Sequence, residues 1–113
     1  MVAKLAHSPL ATLCDPATFN ICWENYRDAW LGGADGVFAD AEIYALPWGF
    51  APEEIRVPVR LWHGKQDRNF SWLLAARLAG RIPGCAVRMV EDDGHQSLPF
   101  RRAAEILRDL CGA

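Results

Sequence analysis

The run from Val57 to Val90 constrains this chain most, because it reads as strand, turn, helix, turn and strand with few residues to spare. Val57-Pro58-Val59-Arg60-Leu61-Trp62 is β-branched and aromatic, with Pro58 near its start, where a strand tolerates a missing N–H. Gly64-Lys65-Gln66-Asp67 follows as a turn. The spacing predicts a helix from Ser71 to Arg81, with Leu74, Ala75, Leu78 and Ile82 on one face and Pro83-Gly84 at its end. Cys85-Ala86-Val87-Arg88-Met89-Val90 is the second strand, Asp92-Asp93-Gly94 the next turn, and His95 stands just beyond. Two strands joined through a helix by short loops make a βαβ unit, whose strands are normally parallel and whose crossover is right-handed. Parallel strands are usually buried on both faces, which suits Leu61-Trp62 beside Val87 and Met89-Val90.

The flanks read as helices. Residues 1–14 carry no strong pattern and are expected to be a loop or a frayed end. Asp15-Pro16 pairs an N-cap acid with proline at the first helical position. From Ala17 to Leu31, Phe19, Cys22, Trp23, Tyr26 and Trp30 recur at helical spacing as one apolar stripe, expected to be core, and Gly32-Gly33 ends it. A second helix is predicted from Asp35 to about Leu46, stopped by Pro47. Pro47-Trp48-Gly49-Phe50 is an aromatic corner, and Pro52-Glu53-Glu54-Ile55 suits one short turn. A last helix is predicted from Phe100 to about Leu110, with Ala103, Ile106, Leu107 and Leu110 on its apolar face.

Only two convincing strands occur, against about five or six in a usual sheet. The reading is therefore one incomplete α/β domain: a helical segment over 1–50 and a βαβα portion over 51–113. An open, apolar strand edge invites pairing. The chain is expected to self-associate or to bind a chain that supplies the missing strands.

Of the 113 residues, 51% are apolar and 23% charged, which is a globular rather than a disordered balance. The net charge is −2, and the basic residues are scattered apart from Arg101-Arg102, which argues against a nucleic-acid partner. Cys14, Cys22, Cys85 and Cys111 form no C-x-x-C pair and fit neither a zinc knuckle nor a disulfide scaffold. They are expected to be small, mostly buried thiols in a reducing compartment. The N-terminus is too short and broken for a signal h-region, and no apolar run approaches a membrane span. A cytoplasmic protein with no membrane partner is expected.

Asp67 follows the first strand and His95 the second. Functional groups in a parallel sheet gather outside the carboxyl ends of the strands, and neighbouring strands lie about 4.8 Å apart, so both residues should share one rim. An acid there can accept the imidazole N–H, fix its tautomer and stabilise the imidazolium formed when histidine takes a proton. His63, Asp67, Asp93 and His95 are acceptable metal-ligand types, but their spacing matches no helix-borne metal motif. His7 lies in an unpatterned end. Lys65, Arg68 and Arg101-Arg102 read as solvated surface charges, and Trp48 and Phe50 as a packed corner rather than a pocket wall.

These residues also resemble a known family. Pro58-Val59-Arg60-Leu61-Trp62-His63-Gly64-Lys65-Gln66-Asp67 resembles the acid-bearing strand and turn of α/β-hydrolases, PV-x-L-x-HG-x-x-D. Asp93-Gly94-His95-Gln96-Ser97-Leu98 resembles the loop before that family's last helix, and Gly32–Gly36 and Leu46–Phe50 resemble the connection into that half of the fold. The order, acid then histidine, is the family's. The resemblance implies the C-terminal part of an α/β-hydrolase fold, with 1–50 holding the end of the cap and connecting helices. It implies a Ser–His–Asp hydrolase of esters, amides or related bonds acting on a small-molecule substrate without cofactor or metal, with Asp67 as orienting acid and His95 as general base. The family's G-x-S-x-G elbow is missing: Ser8, Ser71 and Ser97 lie in other settings, no cysteine takes the place, and no HGG-type loop precedes. The alternative is a non-catalytic remnant that serves as a protein-interaction module.

Overall fold

The two strands run parallel, as the short loops around the intervening helix require. In the computed structural model, which describes residues 9–112, β1 (Arg60–Gly64) and β2 (Ala86–Val90) pair from Arg60 opposite Ala86 to Gly64 opposite Val90. Five helices accompany them among the described residues: α1 (Pro9–Cys14), α2 (Pro16–Trp30), α3 (Asp35–Ala45), α4 (Trp72–Arg81) and α5 (Ser97–Cys111), with a 3₁₀ turn at Pro52–Glu54. This is an α/β arrangement with flanking helices. No helix among the described residues is long and apolar enough to cross a membrane.

Local chemistry sets the element ends. Asp15 caps α2, its carboxylate accepting from the Thr18 amide at 2.8 Å, and Ser71 caps α4 by accepting from the Leu73 amide at 3.3 Å. Glu54 reaches back to the Ala51 amide at 2.8 Å and closes the 3₁₀ turn. Gly112, with φ of 72°, ends α5 in the left-handed conformation. Three expectations shift. Residues 9–14, expected as loop, form α1, which packs against α2 and α5. β1 begins at Arg60 rather than Val57 and runs on through His63 to Gly64, because pairing starts only where the Ala86 amide meets the Val59 carbonyl, beyond Pro58. α5 begins at Ser97, ahead of Phe100, with Pro99 accommodated in its first turn, where no intrahelical N–H partner is needed.

The core is small. Ala79 and Ile82 on the α4 side and Pro52 of the 3₁₀ turn are buried apolar residues, and Asp93 and Ser97 are fully buried polar ones. α4 leans on both strands and on the 3₁₀ turn, and α5 on β1. Trp62 joins β1 to its neighbours: its indole N–H donates to Asp109 of α5 at 2.9 Å, and Arg88 of β2 lies 5.0 Å over its ring.

The α2 stripe is not core: Phe19, Trp23, Tyr26 and Trp30 are all exposed, as are Phe38 and Tyr44 of α3 and Leu74 of α4. The strands are likewise not covered on both faces, since Val87 remains exposed. The chain presents 8722 Å² to solvent, whereas a closed monomer of its mass would present roughly 6,200 Å². Nor are the thiols buried: Cys14 and Cys111 are exposed, and Cys22 and Cys85 half-buried.

Candidate active site

The carboxyl ends of β1 and β2 lead into two turns that bond to each other. The Lys65 amide donates to the Val90 carbonyl at 2.8 Å, and the Gln66 amide to the Asp93 carbonyl at 2.9 Å. The Lys65 ammonium meets Glu91 at 2.5 Å, and the Gln66 side-chain amide donates to the Glu91 carbonyl at 3.2 Å. Gly64 makes this closeness possible. A β-carbon there would land on the Asp93 carbonyl and the Gly94 amide, so only glycine fits.

Each turn presents one functional side chain. The Asp67 side chain is 4% exposed, and its Oδ1 accepts from the amides of Asn69 at 2.8 Å and Phe70 at 3.0 Å. Its Oδ2 lies 3.0 Å from Nδ1 of His95, whose side chain is 41% exposed at the rim. Burial raises the Asp67 pKa, but the Phe70 amide, His95 and the Asn69 amide outweigh it and hold the carboxyl below its ordinary 3.8. Ionised Asp67 can only accept, so Nδ1 of His95 carries the hydrogen and Nε2 the lone pair. The arrangement suits His95 for proton abstraction at Nε2, with the imidazolium that forms facing a carboxylate.

An ion cluster around the fully buried Asp93 braces the His95 turn. Asp93 accepts from Arg101 Nη1 at 2.7 Å and from Arg102 Nε at 2.9 Å, and Arg102 also meets Glu105 at 2.9 Å. Ser97 Oγ accepts from the Gly94 amide at 2.8 Å. Arg101-Arg102 are therefore structural anchors, not merely solvated charges, and Lys65 is likewise engaged, with Trp72 5.1 Å beneath it. No sequence signal marks the brace, since Ser97 is the first residue of α5 and not its cap.

The possible metal quartet does not assemble. Asp93 is spent on two arginines, and the described residues contain no group of three or more side chains that could hold a metal. His63 does approach Asp67, at 3.7 Å, but its Nε2 bonds the Phe70 carbonyl at 3.0 Å. His7 and Ser8 lie outside the described residues. Ser71 and Ser97 both spend their hydroxyls on backbone amides. Trp48 and Phe50, expected in a packed corner, instead stand exposed on the wall of an open cleft of about 520 Å³, shared with Leu78 and Arg81.

No family model and no curated protein matches this chain. Among solved structures, it is similar to the carboxylesterase CesB (YbfK) from Bacillus subtilis, at 27% identity and a TM-score of 0.47. The likeness covers 60% of this chain and 26% of that one, so the chain spans about a quarter of that protein's length.

Proposed function

We propose that Asp67 and His95 are the orienting acid and general base of a hydrolase that cleaves an ester, amide or related bond, with the nucleophile supplied from outside these 113 residues. The observation that carries this reading is the 3.0 Å contact between Nδ1 of His95 and Oδ2 of a buried Asp67, at the strand ends of a parallel pair. The α/β-hydrolase pattern of the two turns supports the same assignment. His95 takes the proton of an incoming hydroxyl at Nε2, Asp67 stabilises the resulting imidazolium, and the proton then passes to the leaving group. No cofactor enters this scheme. The outer edge of β1 has no strand neighbour among the described residues, and we propose that further strands, from another copy or another chain, complete the sheet there.

The test uses the protein as purified from its native cell with an antibody against this chain, assayed with p-nitrophenyl esters and an organophosphonate probe. The native material should turn over ester, and His95→Ala should lower kcat by about 10²–10⁴. The 113-residue chain alone should stay inert, with no stoichiometric adduct on Ser8, Ser71 or Ser97. An adduct there, or native activity indifferent to His95→Ala, would sink the proposal. The non-catalytic reading draws on the exposed aromatics of α2 and expects native material that binds protein and hydrolyses nothing.

A further inference from the structure

Two imidazoles approach Asp67, and they do different things. His63 is the penultimate residue of β1, with its side chain 15% exposed, and its Nε2 sits 3.0 Å from the Phe70 carbonyl oxygen. A carbonyl can only accept, so Nε2 carries the hydrogen and the Nδ1 of neutral His63 carries the lone pair. The same Nε2 is 3.7 Å from Asp67 Oδ2, beyond hydrogen-bonding reach. Neutral His63 therefore spends its single N–H on Phe70 and leaves Oδ2 to His95.

Phe70 is where these contacts meet. Its amide donates to Asp67 Oδ1 at 3.0 Å, its carbonyl takes the His63 hydrogen, and its ring lies 5.7 Å from the His95 ring. Pinning the Phe70 carbonyl to the end of β1 thus settles two things at once. It fills Oδ1 with backbone amides, and it sets an aromatic ring beside the imidazole that Oδ2 must orient.

We propose that His63 is a positioning residue for the Asp67–His95 pair, acting by donating Nε2–H to the Phe70 carbonyl. This rests on the reading that Asp67 orients His95. It gives the histidine of the His63-Gly64 pair a task distinct from the tight turn that Gly64 permits.

The test reads the imidazole nitrogens by ¹⁵N-edited NMR in the full 113-residue chain at a pH where both rings are neutral. In the unaltered protein, His63 should show the Nε2–H form and His95 the Nδ1–H form. His63→Met, similar in bulk but without a donor, should cost His95 its Nδ1–H signature, and His63→Gln, which keeps an N–H, should preserve it. Asp67→Ala should abolish it. If Asp67→Ala leaves the signature in place, the acid–histidine reading itself falls. If Asp67→Ala abolishes it but His63→Met does not, or His63→Gln also loses it, the positioning role alone is overturned. Should His63→Met fail to fold, the unaltered protein decides, because a His63 found in the Nδ1–H form has no hydrogen to give Phe70.

Discussion

The turns at the ends of β1 and β2 and the helices α2 and α3 satisfy their groups in opposite ways. In the turns, buried carboxylates, amides and guanidinium groups close on one another within about thirty residues of sequence, and Asp93 and Ser97 are fully buried with partners. In the helices, Asp15 caps α2 and the backbone bonds repeat along each element, yet Trp23, Tyr26 and Phe38 stay exposed. Polar networks can finish locally because a hydrogen bond needs one neighbour at short range. An apolar stripe needs a facing surface of comparable size, and in this chain little faces α2.

The largest effect should come from the brace under His95. Asp93→Ala takes the buried carboxylate away from two guanidinium groups that are 25% and 30% exposed, and a loss of about 3 kcal/mol is expected, at the lower end for a broken buried pair because water reaches both arginines and each keeps another partner, Arg101 the Asp92 carbonyl and Arg102 Glu105. The measurement is the urea midpoint at constant slope. A loss below about 1 kcal/mol would mean that the turn holds without its brace. Gly64→Ala should follow at about 2 kcal/mol, because a backbone carbonyl must move to admit the β-carbon. Gly80→Ala is its counterpart: nothing lies within 4 Å of that β-carbon, in the last turn of α4, so up to about 1 kcal/mol of stabilisation is expected. If the two alanines behaved alike, the close approach of the two turns would be wrong.

Acid should separate the regions less sharply. The carboxyls of Asp67, Asp15 and Glu53 all have folded pKa values lowered from ordinary ones of 3.8, 3.8 and 4.5. Asp15 is held down by the Thr18 amide and hydroxyl, and Glu53 by Arg81. A depressed carboxyl binds its proton more weakly folded than unfolded. Its contribution is therefore fully present above the ordinary value and lost as pH falls through the folded one. Stability should stay level with respect to these groups above about pH 4.5 and decline below it. Asp67→Asn should flatten the decline more than Asp15→Asn, since Asp15 lies open to water. Urea midpoints at stepped pH test this, and equal slopes for the two variants would contradict it.

The sequence made the rim legible because its signals are local. Asp67 and His95 each follow a strand by a turn, and parallel pairing of those strands leaves them little choice but to meet. The βαβ unit was readable for the same reason. The Asp93–Arg101–Arg102 brace and the His63–Phe70 bond were not, because charged residues beside turns look the same whether they are solvated or folded back. The α2 stripe shows the opposite failure. Periodicity at Phe19, Trp23, Tyr26 and Trp30 announced the helix correctly, but periodicity names a face and not its partner. The expectation of core assumed a partner within reach.

The smallest effect is expected on that face, where it is also the most informative. Trp23 is 54% exposed, so Trp23→Gln removes little packing within one chain and should change stability by about 0.5 kcal/mol or less. If the face is covered by another copy or by further protein, the same substitution should act on assembly instead. Sedimentation at micromolar concentration would then show the 113-residue chain associating, and Trp23→Gln shifting it toward monomer without moving the urea midpoint of the dilute protein. The scale of the uncovered surface favours that outcome. The chain's 8722 Å² exceeds a closed monomer's area by roughly 2,500 Å², an excess in the range of obligate interfaces rather than passing contacts. A monomeric, cooperatively unfolding chain that loses about 3 kcal/mol or more on Trp23→Gln would show α2 packed on its own domain, and the contrast between rim and helices would disappear.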